Sequence, residues 1–213
     1  MTKEISALYE ALRAAGSATT YEAQGAKNAM DSGLKPLDPK SRLVGPAFTV
    51  DARPGDNLIL HLAVQRAKPG DVLIVDAKAF MEAGPWGDIL TLQAQKNGIA
   101  GLVISGCVRD AESIVEMGFP LFCRGLSIKG TGKNQPGRLN EFICIGGVHI
   151  RPGDVVVGDR DGIVIVEQEE IAAVVEKSQA REAKEQNQRR AIESGTSTID
   201  LLGLLPTLQR LGL

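Results

Sequence analysis

Histidine is nearly missing from this chain. His61 and His149 are the only two among 213 residues, and each stands in an apolar segment. A histidine-based metal site or catalytic triad therefore has little to be built from, and both rings are expected in or near the core. Cysteine is almost as scarce. Cys107, Cys123 and Cys144 are odd in number and not closely paired, which argues against a disulfide framework or a zinc knuckle and leaves them as small core residues. No serine or cysteine sits in a nucleophile-elbow pattern. No hydrophobic run approaches the length of a membrane span, and Met1-Thr2-Lys3-Glu4 is too polar to open a signal peptide. The net charge of −2 argues against a nucleic-acid binder, whose affinity would need a basic face. The expectation is a soluble, cytoplasmic protein that engages neither nucleic acid nor membrane.

What is present is an alternation of short apolar runs with helical periodicities. Residues 5–15 carry Leu8, Leu12 and Ala15 at helical spacing and stop at Gly16; Ser17 to Thr20 can cap a second, weaker helix over residues 21–30. Residues 43–52 read as a strand, 57–66 as a helix through Leu58, Leu60, Leu62 and Ala63, and 72–75 as a strand. Two Pro-Gly-Asp turns, at residues 53–56 and 68–71, separate them, and a third at 151–154 precedes Val155. From residue 139 onward the pattern becomes β: 142–145, 148–150, 155–158 and 162–166. This succession predicts a mixed α/β domain with parallel pairing in its first part. Residues 168–191 form a long charged helix with Ile171, Val174, Val175 and Ser178 on one face, broken by Gly195-Thr196-Ser197. The tail, residues 198–213, carries Leu201, Leu202, Leu204, Leu205 and Leu208, an apolar surface that a subunit contact would bury. The chain thus divides into a single α/β unit over residues 1–167, N-terminal helices included, and a helical extension over 168–213.

The stretch the rest is organised around runs over residues 84–113. A Gly84-Pro85-Trp86-Gly87 turn leads to Asp88, an N-cap for a short helix that Asn97-Gly98 ends. An apolar strand, residues 99–104, follows, and Arg109-Asp110 stands just before the next helix. At the first helix start the N–H groups of Ile89 and Leu90 can hold an anion. Arg109 can grip a carboxylate with two parallel hydrogen bonds, and Asp110 is a hard oxygen ligand of the kind magnesium or manganese prefers. Together they suit a small oxo-acid chelated to a divalent metal; an Arg–Asp surface ion pair beside an ordinary cap is the plainer alternative.

Gly87-Asp88, twenty residues, then Arg109-Asp110 resembles the signature of the 4-hydroxy-4-methyl-2-oxoglutarate / 4-carboxy-4-hydroxy-2-oxoadipate aldolase family, which includes the regulator of ribonuclease E activity A and its relatives. The resemblance runs from about residue 44 to 166, through residues 118–122, the loop Arg124 to Thr131, Gly146-Gly147-Val148 and residues 151–154. It departs at Ser113, where the family's aldolase signature has an acid; Glu112 lies one residue earlier. The resemblance implies a swivelling β/β/α domain with an N-terminal helical arm, a homo-oligomer (trimer or hexamer), and a metal-dependent pyruvate aldolase. In that mechanism magnesium or manganese is held by Asp110 and water. Arg109 stabilises the enolate, Gly87, Asp88, Ile89 and Leu90 line the substrate site, and Asp88 orders water or moves a proton unless it is a plain cap. Oxaloacetate decarboxylation is the natural second activity. An acid from a neighbouring subunit is implied as base, with Glu182 and Glu185 as candidates.

Other readings are weaker. Gly130-Thr131-Gly132-Lys133 lacks the Lys-Ser/Thr that a phosphate loop needs after Gly130. Arg124, Lys129, Lys133 and Arg138 make that loop basic, either a solvated surface or an attraction for distal carboxylates. Schiff-base chemistry would want an apolar-flanked lysine; Lys78 and Lys129 are conceivable, but neither has a clear neighbour to depress its pKa. A non-catalytic, protein-binding regulator of the ribonuclease E type is the competing class. A demethylmenaquinone methyltransferase, an older label in the family, would need a Gly-rich strand–loop–helix that the N-terminal part lacks.

Overall fold

The computed structural model describes residues 3–213; Met1 and Thr2, part of the polar opening, lie outside them. The elements follow in order as α1 (Lys3–Ala23), β1 (Lys35–Pro36), β2 (Leu43–Asp51), α2 (Leu58–Arg66), β3 (Val72–Asp76), α3 (Asp88–Lys96), β4 (Gly101–Ile104), β5 (Cys107–Val108), α4 (Ala111–Glu116), β6 (Leu121–Cys123), β7 (Gly125–Leu126), β8 (Arg138–Leu139), β9 (Ile143–Ile145), β10 (Val148–Ile150), β11 (Val155–Gly158), β12 (Ile163–Val166), α5 (Ile171–Glu193), α6 (Thr198–Leu201) and α7 (Leu205–Arg210). The main sheet has the order β1-β6-β4-β3-β2-β11-β12, with β8 also paired to β2.

The expected parallel pairing holds where it was expected: β2 with β3, β3 with β4 and β4 with β6 are parallel. The helices α2, α3 and α4 are the crossovers. Buried residues along β3 and β4 reflect a sheet covered on both faces, which explains why these strands read as continuous Val/Leu/Ile rather than as alternation. On the other side of β2 the sheet turns antiparallel through β11 and β12. The result is a mixed α/β fold whose curled sheet carries the N-terminal helix and the long C-terminal helix together, with α1 and α5 packed on Val155, Val157, Val164 and Val166. The face of α5 read from sequence is the face that is buried: Ile171, Val174, Val175 and Ser178.

Several expectations are corrected. The helix at residues 21–30 is not formed: α1 ends at Ala23, and Gly25, Ala26 and Asn28 all have positive φ. Residues beyond are drawn out beside β12, where Met30 N–H donates to Ile163 O at 2.9 Å and Ala29 bridges Val164. Sheet pairing offered these backbone groups partners that a weak helix could not match. Gly16 does stop the first helix, at φ 78, and the second restarts because the Asp159 carboxylate accepts from Ser17 N–H at 2.8 Å and from Ser17 Oγ at 2.6 Å. Neither histidine is in the core. His61 is exposed on α2, and His149 is exposed on the β9–β10 hairpin, its ring tilted against that of Phe142 with centroids 5.2 Å apart. Cys107 and Cys123 are buried as expected, but Cys144 is exposed. Leu58 and Leu62, read with the apolar face of α2, are 44% and 39% exposed.

Candidate active site

The parallel strands β2, β3 and β4 all point their carboxyl ends the same way, and polar side chains collect there, as open α/β sheets favour. Lys78 lies 2.5 Å from an oxygen of Asp51 and 2.5 Å from one of Asp76. Arg138 reaches Asp51 Oδ2 through Nε at 3.0 Å and Nη2 at 2.7 Å. Burial opposes ionisation of Asp51, yet Lys78 and Arg138 hold its carboxyl below the usual range. Every charge in this cluster is paired, so it braces the loops of that end rather than presenting a reactive group.

Beside the cluster lies the predicted stretch, anchored by Trp86. Its ring is fully buried and stacked on Phe119, centroids 6.4 Å apart, and its Nε1–H donates to Thr91 Oγ1 at 2.8 Å. Its backbone carbonyl accepts from Arg109 N–H at 2.9 Å. One buried aromatic thus ties the start of α3 to the Arg109-Asp110 segment. Asp110 has φ 56 and ψ 39, the left-handed region that side chains enter at a cost of order 1–3 kcal/mol, though aspartate tolerates it better than most. It stands at the N-cap of α4 but makes no side-chain cap bond, so its carboxylate is turned elsewhere. Asp110 Oδ2 meets Arg109 Nε at 3.4 Å and accepts from Asp88 N–H at 3.3 Å. A Cβ on Gly87 would collide with that same oxygen and press on Arg109. The missing side chain at Gly87 is what lets the two halves of the signature close on each other.

The cap itself differs from expectation. Gly87 is the N-cap of α3, and Asp88 is the first helical residue. Asp88 Oδ1 accepts from the N–H of Ile89 at 2.7 Å, so an anion would have to displace that carboxylate to use this donor. The N–H of Leu90 makes no hydrogen bond among the described residues and remains available.

A cleft of about 190 Å³ opens over this helix start, lined by Asn57, His61, Gly84, Pro85, Gly87, Asp88, Ile89, Leu90, Arg109 and Lys133. It brings together Gly87, Asp88, Ile89, Leu90 and Arg109 as the sequence predicts. Asp110 is not among its lining residues but holds the N–H of Asp88, which is, and it lines a second hollow of about 420 Å³ that Arg109 shares, between Val108–Ala111 and the loop residues Leu126, Ser127 and Ile128. The smaller cleft suits a polar ligand better, because cations and a free N–H converge there; the larger is rimmed by exposed Leu126 and Ile128.

Asn57 and His61 were not read as site residues, and Lys133 was read only as one of four basic loop residues that could attract distal carboxylates. His61 stands four residues after Asn57 on one helix face, a spacing visible in the sequence; Lys133 comes from the basic loop, whose sequence does not say which of its cations reaches the cleft. Burial lowers the His61 pKa, and Lys133 lowers it further. Among the loop cations, Arg124 pairs with Asp31, Lys129 with Glu82, and Arg138 with Asp51 and Glu141. Lys133 alone of the four makes no ion pair among the described residues, and it lines the cleft. Glu185 is tied to Arg181 and Arg189, and neither it nor Glu182 lines the cleft of its own chain.

Asp110 also fits a divalent metal. Its side chain is 36% exposed, and its Oδ1 has no hydrogen bond or ion pair among the described residues. One accessible hard oxygen suits magnesium or manganese, which keep most of their water. Among the described residues no three His, Cys, Asp or Glu side chains cluster to hold a metal between them, so a cage built wholly from this chain's side chains is not on offer.

The chain is similar to several known proteins. A protein of Halalkalibacterium halodurans, provisionally named a 4-hydroxy-4-methyl-2-oxoglutarate aldolase, is 43% identical over 136 residues, 64% of this chain and 65% of its own length. The chain therefore matches just under two thirds of that relative. A crystal structure from Pseudomonas syringae pv. tomato superposes with a TM-score of 0.80 at 29% identity, covering 90% of this chain and 94% of the other. A Streptomyces coelicolor structure, described as an unusual member of the RNase ES inhibitor RraA protein family, gives 0.76 at 29% identity over 86% and 96% of the two chains. Residues 6–165 match the family model RraA-like: Aldolase/RraA, and the chain belongs to that family.

Proposed function

We propose that this protein is a divalent-metal-dependent carbon–carbon lyase. It would cleave 4-hydroxy-4-methyl-2-oxoglutarate or 4-carboxy-4-hydroxy-2-oxoadipate to pyruvate and a second oxo-acid, with oxaloacetate decarboxylation as a side activity. The observation that carries the reading is the left-handed Asp110, held against Gly87 with one carboxylate oxygen free, beside Arg109 at the mouth of a cationic cleft. The aldolase name of the Halalkalibacterium halodurans relative supports it.

In this account the pyruvyl carboxylate lies at the start of α3, where Leu90 N–H donates to it. Arg109 pairs with the substrate and stabilises the negative charge that reaches the C2 oxygen as the C3–C4 bond breaks. Asp110, with water, would hold magnesium or manganese, whose Lewis acidity favours the same charge. Lys133, which lines the cleft and makes no ion pair among the described residues, takes the distal carboxylate. The C4 hydroxyl must lose a proton as the bond breaks; Asp88 and His61 are the cleft residues whose chemistry allows them to take it, with a neighbouring subunit's acid as the other source. The electron pair of the broken bond becomes the enolate of pyruvate, which a proton at C3 then quenches.

The test is pyruvate release from the two aldols and from oxaloacetate. Release with magnesium or manganese that stops with a chelator and returns with metal is the expected result. Release that ignores the chelator refutes the metal dependence, and no release from any of the three acids refutes the lyase. That last outcome would favour a protein-binding regulator, a reading supported by the Streptomyces coelicolor relative's description.

A further inference from the structure

We propose that Asp56 is a positioning residue for this cleft: it fixes Lys133 at the distal end and so sets the preference for oxo-acids bearing a second carboxylate. The proposal rests on the reading of Lys133 given above.

Asp56 ends the Pro-Gly-Asp turn before α2 and is 3% exposed. Its Oδ1 accepts from Leu58 N–H at 2.9 Å, which satisfies an open donor at the start of α2. Its Oδ2 accepts from the N–H groups of Asn134 at 2.8 Å and Gln135 at 3.2 Å. Backbone bonds reinforce the junction: Asn57 N–H donates to Gly132 O at 3.1 Å, and Gly132 N–H donates to Gly55 O at 2.9 Å. Both neighbours of Lys133 are therefore pinned to one turn, Gly132 by backbone and Asn134 by the Asp56 carboxylate. A Cβ on Gly132 would stand 2.9 Å from Asp56 Oδ2, so a glycine is needed for the loop to lie this close. The same turn also holds the opposite wall, since Asn57 Nδ2–H donates to Pro85 O at 2.9 Å. Burial opposes ionisation of Asp56, but the N–H groups of Asn134, Leu58 and Gln135, with the charge of Lys133, hold its carboxyl below the ordinary value. An asparagine at this place would turn an NH₂ toward at least one of those donors and release one end of the latch.

A carboxylate that only braced a turn would, on removal, lower stability and weaken every ligand alike. One that acts through Lys133 weakens only ligands that reach Lys133. Calorimetric binding of pyruvate and of 2-oxoglutarate, with magnesium present, separates the two roles. Lys133→Ala and Asp56→Asn should each weaken 2-oxoglutarate about tenfold, the size of one charge-assisted hydrogen bond, and leave pyruvate unchanged. In Lys133→Ala protein, adding Asp56→Asn should cost 2-oxoglutarate nothing more. Gly132→Ala, which keeps the carboxylate, should reproduce the selective loss and carries the test if Asp56→Asn does not fold. Equal weakening of both acids, or additive losses in the double variant, overturns the proposal. Aldol turnover of the unmodified protein, measured alongside, keeps the two readings apart. Selective 2-oxoglutarate binding without turnover sinks only the lyase, whereas turnover without an Asp56 effect sinks only this proposal. Binding of neither acid sinks both.

Discussion

Gly87 shows how much of this site depends on a side chain that is not there. Its φ of −150 and ψ of −167 are ordinary extended backbone, so alanine would fold there without backbone strain. The obstacle is the Asp110 carboxylate, which a Cβ would strike. Gly87→Ala should therefore push Asp110 out of place and weaken metal binding tenfold or more, while stability falls by only about 1 kcal/mol, as for a typical substitution. Metal titration and a melting curve on the variant check this; a large loss of stability with intact metal binding would show that Gly87 serves the fold instead. The Arg109-Asp110 dipeptide and the Gly87-Asp88 pair were singled out by their likeness to a family signature more than by residue type, and the fold brings the two pairs together. The cap was not legible: Gly87 takes it from Asp88 because the Asp110 carboxylate, 22 residues away in sequence, engages the Asp88 N–H. Lys133 was read as one of four basic loop residues, but its selection from among them was hidden for the same reason. Its role depends on which of four loop cations find acidic partners, and Asp31, Glu82, Asp51 and Glu141 come from four other places in the chain.

The elements themselves follow local rules closely where burial is one-sided or complete. The α5 face is the periodicity of Ile171, Val174, Val175 and Ser178 realised, and Gly98, at φ 73, ends α3 as its sequence position suggests. The region around residues 21–30 misled because its backbone is claimed by β12, a strand some 130 residues later, which no local pattern can announce. Helix α1 likewise depends on a distant partner, since Asp159 supplies the cap for its second half. Burial opposes ionisation of Asp159, yet its bonds from Ser17, Asp161 and Gly162 hold the carboxyl below the ordinary value. The unfolded chain therefore binds this proton first as pH falls. The stabilisation is complete above an unfolded value of about 3.9 and is lost as pH drops through the lower folded value. Asp159→Asn should melt below the unmodified protein at pH 7, with the gap closing below about pH 4. Melting temperatures of both proteins from pH 7 to 3 decide it, and a gap constant with pH would contradict the charged cap.

At the scale of the molecule, the apolar surface of the C-terminal extension is left open. Leu202, Leu205, Leu211 and Leu213 are 56%, 55%, 64% and 83% exposed, although Ser197 caps α6 through Asp200 N–H at 3.1 Å. No helix among the described residues is long and apolar enough to cross a membrane. The proposed cover for these leucines is a second copy of the chain, in a trimer or hexamer. Removing residues 198–213 should lower the assembly state in light scattering, and a monomer at micromolar concentration before any deletion would remove the premise. The central claim, that Asp110 serves the metal and Arg109 the substrate, is tested most directly by titrating pyruvate release against magnesium. Asp110→Asn should move half-saturation to much higher metal. Arg109→Lys keeps the charge but loses the planar fork, so its half-saturation should stay in place while the plateau falls about ten- to a hundredfold. Wild-type curves from both variants would contradict the account and leave Arg109 and Asp110 as a surface ion pair.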